Sequence, residues 1–187
     1  MVSEKDRLAA IHQLADWTNP GKGGFYDDLG NVGHQPHLVR PKSYVDDPGS
    51  MQSPRCDFEE DLVVDEDETP NGGRRVSWIN HAESLYDSPL QLHYDGLDRH
   101  AQYKVRVVYG GDGSWRKIRL DANDTEIHPY IAKPMPFKPL EFSIPRAATE
   151  RGSLTLTWHG EPGLGGNGRS CQVSEVWLIK ADEKIAK

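Results

Sequence analysis

The sequence predicts an antiparallel β-sandwich of jelly-roll type, entered through an N-terminal helix and a long irregular arm. Three observations predict it. Between Leu90 and Ile144 apolar and polar residues alternate run after run: Tyr103, Val105, Val107 and Tyr109 fall on one face, Lys104 and Arg106 on the other, which is the period-two signature of half-buried strand. The runs are short and are parted by turn residues, Gly110-Gly-Asp-Gly113 and Asn123-Asp124 among them. No helical periodicity separates them, which argues for packed antiparallel layers rather than a βαβ sheet.

Ser3 to Trp17 reads as a helix: Ser3 can cap it, Asp6 lies three residues on, and Leu8, Ile11, Leu14 and Ala15 recur at helical spacing. Asn19-Pro20-Gly21 ends it. Residues 1–18 therefore form a helix or connector, and residues 19–74 an arm that packs on the sandwich. The stretch from Trp17 to Asn31 gathers glycines, Phe25, Tyr26 and two adjacent carboxylates without a regular period. Glycines with aromatics favour a packed loop with the aromatics buried over the alternative, a surface that meets a partner or an ion. Asp27, Asp28 and Asn31 supply oxygen atoms of the kind calcium takes, at a spacing unlike an EF-hand. Further along, Pro36, Pro41, Pro48 and Pro54 space out short extended pieces. The acidic run from Asp57 to Glu68 reads as a solvated face, and Pro70 stands where a calcium loop needs glycine.

The sandwich occupies residues 75–181, with 182–187 as a tail. Strands are expected at Val76 to Ile79, then near 90–95, 102–109, 116–121, 125–131, 138–144, 153–159 and 171–180. The last, apolar on both faces apart from Ser174 and Glu175, belongs in the middle of a sheet.

With 187 residues the chain fits one domain with an appended arm. A net charge of -7 with no basic stripe excludes a general affinity for nucleic acid, whose phosphates it repels. The 18 glycines, 13 prolines and five tryptophans suit an all-β domain with long, shaped loops. Cys56 and Cys171 either pair or stay as free thiols, which leaves the redox compartment open. Met1 to Trp17 lacks the apolar run of a signal peptide and no later stretch is long enough to span a bilayer. A soluble chain without membrane contact is expected, extracellular or periplasmic if it belongs to a longer exported protein.

Familiar catalytic patterns are missing. Gly163, Gly165 and Gly168 spell G-x-G-x-x-G, but a strand follows where a dinucleotide site requires a helix, so the segment reads as an inter-strand loop. His34 and His37 have no third ligand in sequence, and no nucleophile elbow occurs. Asn123-Asp-Thr125 is a formal glycosylation sequon. Carboxylates that cleave polysaccharides carry no local spacing rule, so catalysis is unsupported rather than excluded. Aromatic residues at strand ends are more informative, since a sugar offers an apolar C–H face and a rim of hydroxyls. Trp115, off the alternating pattern, is the candidate plate, whereas Trp158 continues the Leu154 and Leu156 face and reads as core. Arg119, Asn123, Glu126, His128, Tyr130, Asn167 and Arg169 are the candidate flanking groups.

The succession Leu90-Gln-Leu-His-Tyr-Asp-Gly-Leu, Tyr103-Lys-Val-Arg-Val-Val-Tyr, Leu140-Glu-Phe-Ser-Ile-Pro145, Gly152-Ser-Leu-Thr-Leu-Thr-Trp and Val173-Ser-Glu-Val-Trp-Leu-Ile resembles galactose-binding-like β-sandwich domains, malectin-like and carbohydrate-binding modules among them. The likeness covers about residues 75–180. Asn19-Pro-Gly-Lys-Gly-Gly-Phe-Tyr-Asp-Asp-Leu-Gly is similar to a segment in the C-terminal regions of large bacterial proteins of that kind. The resemblance implies an accessory, non-catalytic module of a bacterial polysaccharide-active protein. It further implies a polysaccharide or oligosaccharide ligand held by loops at one end of the sandwich, a preceding catalytic domain as partner, and no cofactor beyond a structural calcium. Two other readings stay open: a hydrolase or lyase working through carboxylates, and a purely structural interdomain module.

Overall fold

The computed structural model describes residues 3–40, 53–57, 78–111, 116–163 and 168–181. Helix α1 (Glu4–Thr18) starts as expected: the Ser3 hydroxyl accepts the Asp6 amide at 3.2 Å and donates to the Asp6 carboxylate at 2.6 Å. None of its side chains is buried, and Leu8, Ile11 and Leu14 are each more than half exposed. Its C-terminal end is held by Trp17, whose ring meets Trp177 edge-on at 5.3 Å and whose carbonyl accepts the Trp177 indole N–H at 2.9 Å.

Eleven strands follow among the described residues, all antiparallel: β1 (Phe25–Asp28), β2 (Arg55–Asp57), β3 (His81–Leu85), β4 (Leu90–Asp95), β5 (Tyr103–Val108), β6 (Ile118–Ala122), β7 (Thr125–Ile131), β8 (Leu140–Ile144), β9 (Ser153–Gly160), β10 (Arg169–Val173) and β11 (Glu175–Lys180). One sheet has the order β1-β11-β5-β8, the facing sheet β4-β9-β6-β7, and a smaller one β10-β3-β2. Residues 37–39 extend the facing sheet beyond β4 through a bridge between Leu38 and Leu92. The core is the sum of the inward rows: Tyr103, Val105 and Val107 from β5, Val176 and Leu178 from β11, Leu90, Leu92 and Tyr94 from β4, and Leu154, Leu156 and Trp158 from β9. Alternation thus places the polar partner of each row outside, as with Lys104 and Arg106, which both bind Glu141 on β8.

The antiparallel sandwich with an N-terminal helix is the predicted fold, but four local readings change. Phe25–Asp28 is no loop: it forms edge strand β1 against β11, so the arm is woven into a main sheet. Arg55–Asp57 likewise pairs with β3. Trp78 to Asn80 is a turn rather than strand, and the strand starts at His81, where His, Glu and Ser obscure the β pattern. The expected 171–180 strand is two, broken at Ser174, where the chain passes from the small sheet to a main one; β11 is central, between β1 and β5. A short helix, α2 (Arg146–Thr149), sits between β8 and β9.

At the crossover the Ser174 amide donates to the Val108 carbonyl at 2.9 Å and its hydroxyl to the Trp78 carbonyl at 3.2 Å. Gly110 lies against both groups: a Cβ there would stand 2.0 Å from the Ser174 hydroxyl and 2.4 Å from the Trp78 carbonyl. Gly110→Ala is therefore expected to cost about 3 kcal/mol in urea denaturation, since a backbone carbonyl cannot swing aside. A loss below about 1 kcal/mol would contradict this packing. Cys56 and Cys171 are free thiols. Among the described residues no helix is long and apolar enough to cross a membrane.

Candidate functional site

The two outer faces of the sandwich differ. Over β11 and β5, Trp177 and Val108 are covered by Trp78, Phe137 and Trp17, forming a second apolar cluster. The outer face of β4-β9-β6-β7 carries no such cover among the described residues. It holds a polar groove of about 590 Å³.

Strand alternation builds the groove floor: with Leu90, Leu92, Leu154 and Leu156 inward, Gln91, His93, Ser153, Thr155 and Thr157 must face out. Neighbouring strands pair these groups. Gln91 donates its amide to the Thr157 hydroxyl at 3.2 Å, and His93 Nδ1 lies 2.9 Å from the Thr155 hydroxyl. One wall is the β6–β7 turn, Asn123 to Thr125; the other is the segment from Ala147 to Arg151. Asn123 and Asp124 both have positive φ, 43° and 64°, the conformation of a tight hairpin turn that Asn and Asp tolerate. The Asn123 side chain clips the walls together, donating to the Ala148 carbonyl at 2.7 Å and accepting the Thr155 amide at 2.8 Å.

Past Thr157 the same face continues through Asp121, His159 and Arg119, which the register places side by side. The Asp121 carboxylate accepts Arg119 at 2.6 Å and lies 3.2 Å from His159 Nε2. The Arg119 guanidinium stands 5.7 Å from the centre of the Tyr130 ring. Burial, with the Arg119 charge second, lowers the His159 pKa.

The residues singled out from the sequence scatter. Asn123 lines the groove, but as a structural clip. Arg119, Tyr130 and Glu126, the last paired in register with Asp121, share the groove's face. His128 is interior: the Trp158 indole donates to the Tyr109 hydroxyl, which meets His128 Nε2, while His128 Nδ1 donates to the Pro129 carbonyl at 2.8 Å. Burial lowers its pKa. Arg169 belongs to the small sheet, where its Nε donates to the buried Glu83 carboxylate at 2.8 Å. Trp115 and Asn167 lie outside the described residues, as does the acidic run beyond Asp57.

Of the calcium candidates, Asp27 is buried and its carboxylate is 2.7 Å from His37 Nδ1 and accepts the Tyr94 hydroxyl at 2.8 Å. Asp28, next along β1, points to the other face and accepts the Gly30 amide at 3.1 Å. Burial pushes the Asp28 carboxyl up against that hydrogen bond, and the Glu175 charge adds to the rise. Asn31 accepts the Gly33 amide.

Gln91, His93, Thr155 and Thr157 went unread in the sequence, although their signal was present. They are the outward phase of strands whose inward phase was recognised, and neutral polar residues in that phase look like ordinary solvated surface. His81, Glu83 and Gln172, fully buried beside the partly exposed Arg169, gave no signal at all.

Fold and site together define an antiparallel β-sandwich with an open, polar groove on one face. No protein-family model matches the chain, and no curated protein matches it in sequence. Solved structures do resemble it. A crystal structure of the plant peptide RALF23 in complex with FER and LLG2 aligns with a TM-score of 0.52 at 11% identity, over 84% of this chain and 45% of that one. The ANXUR1 extracellular domain from Arabidopsis thaliana aligns with a TM-score of 0.52 at 10% identity, over 87% and 40%. TmCBM61 in complex with β-1,4-galactotriose aligns at 0.35 and 14% identity, over 78% and 99%, too distant to argue from. Identities this low speak to the fold alone, and the chain spans less than half the length of the matched chains in the first two of these structures.

Proposed function

We propose that the chain is a non-catalytic carbohydrate-binding module, an accessory part of a larger bacterial polysaccharide-active protein. The observation that carries this reading is the groove on the β4-β9-β6-β7 face. Its volume suits a few sugar units, and its floor presents amide and hydroxyl groups spaced by the strand pleat, able to donate to and accept from sugar hydroxyls. Its polar floor, lacking an aromatic plate among the described lining residues, fits weak, hydrogen-bonded and partly water-mediated recognition. Helix α1, with no buried side chain and one tryptophan anchor, serves as the connector to a preceding domain. Trp115, outside the described residues, keeps its place in the proposal as the candidate plate.

Affinity electrophoresis through a panel of plant and bacterial polysaccharides tests the reading. Retention is expected on at least one, and Gln91→Ala or Thr157→Ala should weaken it roughly tenfold, the worth of one or two hydrogen bonds, with far-UV dichroism unchanged. Retention on none overturns the proposal. Release of reducing ends or unsaturated sugars would replace it with a polysaccharide-cleaving role, and failure of both assays together with docking onto a neighbouring domain would leave a structural one.

A further inference from the structure

Charge on the groove's face is unevenly distributed. Asp124 and Glu150 line the groove, and Asp95 on β4, Asp121 on β6 and Glu126 on β7 occupy the outward positions beside it. Against these five carboxylates the same positions offer two guanidinium groups, Arg151 in the lining and Arg119 beyond it. Arg119 and Asp121 offset one another at 2.6 Å, which leaves Asp95, Asp124, Glu126 and Glu150 against Arg151. His159, the third member of that group, has its pKa lowered by its burial and by Arg119. The whole chain carries a net charge of -7, so the long-range field has the same sign as the local one.

We infer that the groove accepts uncharged sugar chains and rejects the same chains when they carry carboxylate or sulfate groups. This rests on the carbohydrate-binding reading. A uronate seated on Gln91 and Thr157 would meet Asp124 or Glu150 at either wall. A polymer repeats that encounter along its length.

Polymers matched in backbone, one neutral and one anionic, provide the test: hydroxyethylcellulose against carboxymethylcellulose, and methyl-esterified homogalacturonan against polygalacturonate. Each is cast into affinity gels at about 10 mM and about 1 M salt, where the screening length falls from roughly 30 Å to roughly 3 Å. The neutral member of a pair should bind at least about tenfold more tightly at low salt, and the gap should close at high salt. Equal retention of both members, preference for the anionic one, or a gap indifferent to salt overturns the inference while leaving carbohydrate binding intact. If neither member of either pair is retained and the wider panel is also blank, the binding reading falls and the inference with it. If the wider panel retains a neutral glycan, its C6-oxidised form takes the anionic place, and equal binding of the two overturns the inference.

Discussion

Replacing Glu175 with alanine is expected to destabilise the protein by about 4 kcal/mol and to loosen the N-terminal helix from the sandwich. Glu175 opens β11 and is almost wholly buried. Three donors from three separate parts of the chain converge on its carboxylate: the Trp17 indole of α1 at 3.2 Å, the Tyr26 hydroxyl of β1 at 2.9 Å and the Trp78 indole at 2.7 Å. Removing the acceptor takes a charged partner from the buried Trp78 indole and from the half-buried Trp17 and Tyr26 groups, each hydrogen bond to a charged group being worth roughly 1.5–3 kcal/mol. It also opens space beneath Trp17, whose contacts with Trp78 and Trp177 fix the end of the helix. Urea denaturation would measure the loss, and tryptophan emission should shift to the red as Trp17 gains water. Glu175→Gln, which keeps one acceptor oxygen but turns an amide N–H toward the same donors, should fall between parent and alanine. A Glu175→Ala protein within about 1 kcal/mol of the parent would show that the aromatic packing alone holds this corner.

Glu83→Gln is expected to cost about 3 kcal/mol at neutral pH, and the cost should shrink in acid. The carboxylate is buried on β3 among Arg169 at 2.8 Å, Gln172 at 3.1 Å and His81 at 3.5 Å. Burial alone would raise its pKa, but the hydrogen bonds from His81, Arg169 and Gln172 outweigh burial and hold it at about 2, below the ordinary 4.5. A folded-state pKa below the unfolded one stabilises the fold fully above the unfolded value and loses that contribution as pH falls through the folded value. The difference between parent and Glu83→Gln should therefore be constant above about pH 5 and narrow progressively toward pH 2. A difference that widens in acid would reverse the assignment. The size at neutral pH reflects the loss of the buried charge on which the Arg169 guanidinium and the His81 and Gln172 side chains converge.

How much of this was legible in the sequence depended on what each strand faces. Leu90–Asp95 and Thr125–Ile131 were read with the bounds they have, because one face of the first meets a dry core and turn residues bracket the second. Phe25–Asp28 escaped because its two carboxylates suggest solvent; in the fold one is buried against His37 and Tyr94 and the other sits at the Gly30 turn. His81–Leu85 escaped for a related reason: four of its five residues are buried, yet three of those four are polar and satisfied by other elements. The candidate ligand residues were chosen as polar groups near strand ends. That criterion cannot separate His128, folded inward onto Tyr109, from Arg119, lying outward on Tyr130.

Period-two patterning by itself determined the layered antiparallel class and the inward row of nearly every long strand, since a strand can bury an apolar face in only one phase. The composition, with a net charge of -7, argued against a general nucleic-acid surface. Tertiary structure alone decided which outer face is sealed and which is open: Trp17, Trp78 and Phe137 come from distant segments to close over Trp177, while α2 and the Asn123 clip raise walls around the facing sheet. The physical reason is that patterning is a local property of the chain, whereas a groove is made by elements far apart in sequence, whose meeting depends on the packing of the whole.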